Sequence, residues 1–165
     1  MIFFDMDGTI AKFYKDEDCL EKMYEKGFFL SLEPYALAKF VNELANLYPQ
    51  HIGILSACVE SPYCEDEKRA WLHTHCPNVL PQNFIFTKAG ENKAKAVETW
   101  KQYQETMILI DDYSENLYNW QMFDRTFVAI KFINGINNKS GKTYQHSFRT
   151  VKQLKELLKQ FGYMK

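Results

Sequence analysis

The chain has 165 residues with a formal net charge of −1, and it is 46% apolar and 25% charged, an ordinary globular composition of a length that suits one domain with a real core. Such a charge gives no field for a polynucleotide or an anionic membrane surface, so neither is an expected partner, and no apolar run is long enough to span a bilayer. The opening MIFFDMDG lacks the basic and apolar regions of an export signal, and Cys19, Cys58, Cys64 and Cys76 form no CxxC pair, so free thiols in a reducing cytoplasm are expected.

In chain order, the first apolar run, Ile2–Phe4, reads as a strand that ends at Asp5-Met6-Asp7-Gly8-Thr9. Residues 11 to about 35 mix charges with aromatics and interrupt the regular pattern. Leu37, Phe40, Val41, Leu44, Leu47 and Tyr48 then form an apolar stripe at helical spacing. Residues 52–55 read as a second strand reaching Ser56, and residues 84–86 as a third. Ala94, Val97 and Trp100 begin another helical stripe. Residues 107–110 make a fourth strand leading into Asp111-Asp112, and residues 127–130 a fifth. The polar, Gly- and Asn-rich stretch 132–148 predicts a loop or hairpin. Val151, Leu154, Leu157, Leu158 and Phe161 predict an amphipathic helix ended by Gly162. Continuous apolar strands alternating with helices predict an α/β fold, a parallel sheet covered on both faces and wound with right-handed crossovers.

Ligands of such sheets bind beyond the carboxyl ends of the strands, and acidic residues stand at two of those ends. Strands delivering Asp5, Asp7, Asp111 and Asp112 to one edge concentrate negative charge, and an all-oxygen ligand set suits a hard cation such as Mg²⁺. Gly8 permits the turn that brings Asp7 over the site. A nucleophilic carboxylate with a second carboxyl as general acid suits acyl-phosphate chemistry. Ser56 can donate to a phosphate oxygen, and Lys93 at a helix start can neutralise a phosphoryl group; Lys88, directly after the third strand, competes for that role. His73, His75 and Cys76, with Cys64 upstream, lack paired-ligand spacing, and on a helix the two histidines would point to nearly opposite faces, so no zinc site is expected.

DMDGT, ILSA, a helix-start lysine and LIDD, in that order, resemble the four motifs of the haloacid dehalogenase (HAD) phosphatases over roughly residues 1–131. The resemblance implies a HAD-like Rossmannoid α/β/α domain, single over residues 1–165, with a small helical cap inserted at about 11–35. It implies a Mg²⁺-dependent phosphatase: Asp5 as nucleophile, Asp7 as acid and base, and Ser56, Ala57 and Lys93 at the phosphoryl group. Asp5, the Asp7 main-chain carbonyl, Asp111 and Asp112 would hold the metal. DMDGTIAKF and GFFLSLEPY are further similar to the 5'(3')-deoxyribonucleotidases and their short bacterial and phage relatives, which implies a nucleotide substrate with Phe13, Phe28 and Phe29 against the base. Phe28 and Phe29 packing the cap onto the core is the competing reading of those rings. Another small phosphorylated metabolite such as a sugar phosphate, and a non-catalytic binding module, stay open. A second copy of the chain is a candidate partner, because a cap this small can need one to close the site.

Overall fold

A computed structural model describes residues 1–13, 17–99, 106–136 and 144–164. Among them run β1 (Ile2–Phe4), α1 (Glu17–Lys22), α2 (Ala36–Leu47), β2 (Ile52–Cys58), α3 (Cys64–His75), β3 (Phe84–Lys88) and α4 (Lys93–Ala96). Then come β4 (Met107–Asp111), α5 (Ser114–Phe123), β5 (Phe127–Phe132), β6 (His146–Phe148) and α6 (Val151–Gln160). Short 3-10 turns occupy Phe29–Ser31 and Pro81–Asn83.

The described strands form one sheet in the order β3-β2-β1-β4-β5-β6, and every pairing is parallel. The period-two alternation of the strands divides the core into two layers. Ile2 and Phe4 face one side with Ile52, Ile54, Ile108 and Ile110, under α2, α3 and α6. Phe3 faces the other with Leu55, Leu109 and Ala129, under α4 and α5. Gly53 makes room for this second layer, since a Cβ there would lie 2.9 Å from the Phe3 ring. Burial on both faces is why the strands read as unbroken apolar runs in the sequence.

The expected α/β/α sandwich is therefore present, and the predicted strands appear with β2, β3, β4 and β5 extended at their carboxyl ends. Two elements differ from expectation or go beyond it. Of the stretch 132–148, described at 132–136 and 144–148, the last three residues form β6, which pairs in parallel, not antiparallel, with β5 through Ile130, Lys131 and Phe132. Only Phe148 of β6 is buried, too short a pattern to announce a strand. The second is α5, whose buried side is confined to Leu117 and Trp120. The α6 helix opens with a full capping box between Thr150 and Gln153, the device that stops fraying at its start. Trp100, assigned to a helical stripe by its spacing, lies outside the described residues.

Residues 11–35 leave the sheet after β1 and return beside it. Lys12 and Tyr35 are held by main-chain bonds to Glu33 and Ile10. The turn at Phe29–Ser31 is fastened to α3 from below. The Glu67 carboxylate accepts from the amides of Gly27 (2.5 Å) and Phe29 (3.1 Å), and Trp71 Nε1 donates to the Leu32 carbonyl.

Candidate active site

The strand order reverses direction between β1 and β4, and that switch point opens a crevice at their carboxyl ends. The register pairs Phe4 with Ile110, and the Asp5 amide donates to the Ile110 carbonyl. Asp5 and Asp111 therefore leave adjacent strands side by side. Ligand oxygens of Asp5, Asp111 and Asp112 lie within 4.8 Å of one another, and all three residues are buried.

Past Asp5 the chain turns tightly. The Met6 carbonyl accepts from the amides of Thr9, Ile10 and Ala11, and Gly8 adopts φ +79°, a conformation in which a side chain is strained. Space excludes a side chain as well, because a Cβ on Gly8 would fall 2.4 Å from Asp112 Oδ2. Asp112 thus packs against the bare backbone of the turn. It is held there by Thr9, whose hydroxyl accepts from the Asp112 amide, and by Asn134. The Asn134 amide nitrogen donates to both the Gly8 carbonyl and Asp112 Oδ2, each at 2.9 Å.

Three buried ammonium groups surround the acidic cluster, two of them, Lys68 and Lys93, paired with its carboxylates. Lys93, the first residue of α4, donates to Asp5 Oδ1 (2.6 Å) and Asp111 Oδ2 (2.8 Å). It is placed there by Asn92, whose side chain caps the helix. Lys88, its competitor in the sequence, is exposed at the end of β3. Lys68 of α3 has no exposed side-chain surface and donates to Asp7 Oδ2 (2.5 Å), the Ala57 carbonyl (2.6 Å) and Ser56 Oγ (3.1 Å). Lys131 of β5 donates to the Asp112 carbonyl and the Ser114 hydroxyl, both at 2.7 Å.

Asp111 is further fixed by the Tyr113 amide and the Asn116 side chain. Burial raises the Asp5 carboxyl to about 8; Lys93 works against this, and Asp111, Asp7 and Asp112 add to it. Burial would lower the Lys93 ammonium, but Asp111 and Asp5 more than reverse it, so Lys93 is raised and stays charged. The same competition at Lys68, chiefly between burial and Asp7, also ends above the ordinary value. An Asp5 that favours its proton and a buried Asp7 Oδ1 with no hydrogen-bond partner among the described residues are what a set of oxygens prepared for a further cation or ligand presents. The donor set, all oxygen and all buried, fits a hard divalent ion.

The cleft over these groups has a volume of about 390 Å³, and Asp5, Asp7, Ala57, Lys93, Asp112 and Phe13 are among its lining. Ser56 is fully buried, beneath the floor rather than in it. The three phenylalanines form one edge-to-face chain, Phe13 on Phe28 at 5.9 Å and Phe28 on Phe29 at 5.0 Å. Phe13 touches the cleft, Phe28 is half-buried, and Phe29 is 1% exposed with the Lys68 ammonium 4.7 Å from its ring centre. Phe29 therefore packs the 11–35 segment onto α3, away from the cleft wall. His73 and His75 each lie against an aromatic ring of their own, Phe84 and Trp71.

Lys68 and Lys131 escaped the motif reading, although each left a trace. Cys64, Glu67, Lys68, Trp71 and Leu72 recur at helical spacing and are the buried face of α3, so two charged residues stand inside an apolar stripe. Lys131 likewise interrupts the apolar run FVAIKF at the carboxyl end of its strand. A charge in a buried stripe signals a paired or functional group.

The sequence profile of the family described as "5' nucleotidase, deoxy (Pyrimidine), cytosolic type C protein" matches residues 16–161. No curated protein matches the sequence significantly. Among solved structures, a protein described as a haloacid dehalogenase-like hydrolase from Burkholderia xenovorans LB400 superposes with a TM-score of 0.64. It is 11% identical, over 97% of this chain and 96% of the other. A second, described as a dehalogenase, gives 0.60 at 12% identity over 95% and 96%. At such identities the likeness carries the fold.

Proposed function

Since the chain belongs to the 5' nucleotidase, deoxy (pyrimidine), cytosolic type C family, within the HAD superfamily, we propose that it is a Mg²⁺-dependent phosphomonoester hydrolase. Its substrate on this reading is a nucleoside or deoxynucleoside monophosphate in the cytoplasm, and residues 11–35 act as its cap. The observation that carries the proposal is the meeting of Asp5, Asp7, Lys93 and the Asp111-Asp112 pair at one switch point, with Lys93 bonded to Asp5 and Asp111.

Asp5 attacks phosphorus through a carboxylate oxygen; that O–P bond forms as the bond to the leaving alcohol breaks. The proton that Asp5 gives up on ionising passes to Asp7, which hands it to the departing oxygen. Water then attacks the phosphoaspartyl group with Asp7 taking its proton, and the Asp5–phosphorus bond breaks to release phosphate. Lys93 holds the nucleophile and faces the phosphoryl oxygens, while Ala57 lies along the cleft beside them. Ser56 works indirectly, through the Lys68 ammonium that also grips Asp7. Asp5, Asp112, the Asp7 carbonyl and Asp111 are the residues that would hold Mg²⁺, which supplies positive charge against the phosphoryl oxygens. Ionised Asp5 is the form that both roles require, and a neighbouring cation is what overcomes its burial.

Phosphate release from a panel of nucleoside, deoxynucleoside and sugar monophosphates tests the proposal, with Mg²⁺ or chelator, for the wild type and Asp5→Asn. Metal-dependent release from nucleotides that Asp5→Asn abolishes is the expected result. Release confined to sugar phosphates keeps the chemistry and rejects the nucleotide; release that survives Asp5→Asn rejects the mechanism.

A further inference from the structure

A second cavity adjoins the cleft and is larger than it, about 790 Å³. The two meet at Val59, Ala89 and Glu91, which line both. The proposed catalytic carboxylates border the smaller space alone, so a phosphoryl group seated on Asp5 leaves the remainder of its substrate two directions to take. One is towards the 11–35 segment, where Phe29 is closed off and Phe28 is locked edge-on between its neighbours. The other is past Ala89 into the second cavity.

That cavity has the composition of a binding site. Phe86 and Tyr24 offer ring surface, and the Arg69 guanidinium lies 4.8 Å from the centre of the Phe86 ring. Thr87 contributes a 7% exposed side chain whose hydroxyl has no partner among the described residues. A buried hydroxyl left unpaired is costly, and its place in this wall fits a polar ligand group. The rim is acidic: Glu60, Glu65 and Glu91 line the space against one cation, Lys88. Arg69 is engaged by the Glu65 carboxylate.

We propose that this cavity is the leaving-group subsite and that its glutamates select an uncharged, donor-bearing leaving group, such as a nucleoside, against one that carries a second phosphate. The inference rests on the phosphatase reading above and adds to it where the rest of the substrate lies and what is rejected there. With Glu65 paired to Arg69, a phosphate placed there still meets Glu60 and Glu91 against the single cation Lys88, like charge in a concave, partly desolvated space. A ring stacked on Phe86 with its donors towards the glutamates meets complementary groups.

The test compares hydrolysis of deoxynucleoside 5'-monophosphates, the matching 3',5'-bisphosphates and glycerol 2-phosphate by the wild type, Glu60→Lys and Ser61→Trp. Glu60 is exposed and Ser61 half-buried in the loop after β2, and thermal melting checks that both variants fold. The wild type is expected to favour monophosphates at least tenfold in kcat/KM. Glu60→Lys narrows that preference several-fold, less so at high ionic strength, and Ser61→Trp raises KM for the monophosphate relative to glycerol 2-phosphate. Equal turnover of mono- and bisphosphates by the wild type, or a preference that neither substitution moves while glycerol 2-phosphate is hydrolysed, overturns the subsite and leaves the phosphatase standing. If no compound releases phosphate, the phosphatase reading fails on its own. Calorimetric binding of the same mono- and bisphosphates then decides the cavity: unequal affinities narrowed by Glu60→Lys uphold it, and equal affinities overturn it.

Discussion

Replacing Lys68 by methionine is the most informative single perturbation of the site. The side chain keeps most of its volume, so the core around Phe29 and Trp71 is not hollowed, and what is lost is the ammonium with its three hydrogen bonds. Removing one partner of a buried ion pair costs about 3–5 kcal/mol when the other charge is left dry. Asp7 keeps 20% of its side-chain surface in solvent, which places the loss near the lower limit, about 3 kcal/mol. For a chain of this length each kcal/mol moves Tm by about 2–4 °C, so Lys68→Met should melt roughly 6–12 °C lower, and urea denaturation should report the same loss. Asp7→Asn in the same background separates pairing from packing: the double variant should lose about 1.5 kcal/mol or more less than the sum of the two single losses. Turnover should fall at least about a hundredfold, since Asp7 loses the group that fixes its proton-donating carboxyl over the leaving oxygen. A Lys68→Met protein with wild-type Tm and wild-type kcat would refute the reasoning, for it would mean that the ammonium neither balances Asp7 nor orients it.

The rings should part company on substitution. Phe29→Ala is expected to cost about 3–5 kcal/mol in urea unfolding because Phe29 is core, whereas Phe13→Ala, at the wall of the cleft that holds the phosphoryl group, should raise KM for all phosphomonoesters alike more than it lowers stability. Stability without metal should depend on pH through Asp5. Its folded value of about 8 lies above that of an unfolded carboxylate, so its contribution is complete below about pH 4 and is lost as pH rises towards 8. Melting curves in chelator should show that decline and Asp5→Asn should flatten it, while added Mg²⁺ should raise Tm more at pH 8 than at pH 5. Inorganic phosphate titrated calorimetrically should bind at least tenfold more tightly with Mg²⁺ than with chelator; equal affinity would separate the acidic cluster from phosphate recognition.

The sheet was legible because its strands are buried on both faces, which leaves no polar alternation to confuse them. Asp5 and Asp111 were legible as neighbours for a related reason: both follow directly on apolar runs of a parallel sheet, so topology alone brings them to one edge. Lys68, Lys131 and Asn134 were not, because their relevance depends on which side of α3 is buried, on the register of β5 against β4, and on the path of the chain after β5. The same limit explains the phenylalanines. Sequence places Phe28 and Phe29 beside the site, but adjacent residues project differently, and the bonds from Glu67 to Gly27 and Phe29 decide that Phe29 turns inward. β6 escaped because three residues with one buried side chain carry no period.

Charge balance joins these residues into one device. Four carboxylates, Asp5, Asp7, Asp111 and Asp112, gather within a region served by three ammonium groups, Lys68, Lys93 and Lys131. Negative charge is in surplus among these described groups, and burial with the neighbouring carboxylates raises Asp5 to about 8, which favours its protonated form. In that state Asp5, the proposed nucleophile, is neutral and the cleft has no net attraction for a phosphate dianion. A divalent cation among the oxygens reverses both conditions, because it favours the ionised Asp5 and turns the local surplus positive. The lysines hold the carboxylates close enough to chelate and are themselves too few to neutralise them. Had α3 or β5 supplied one more ammonium group, the site would hold its charge without metal. On the proposed mechanism, it is this shortfall that would tie activation of Asp5 to the presence of the cation.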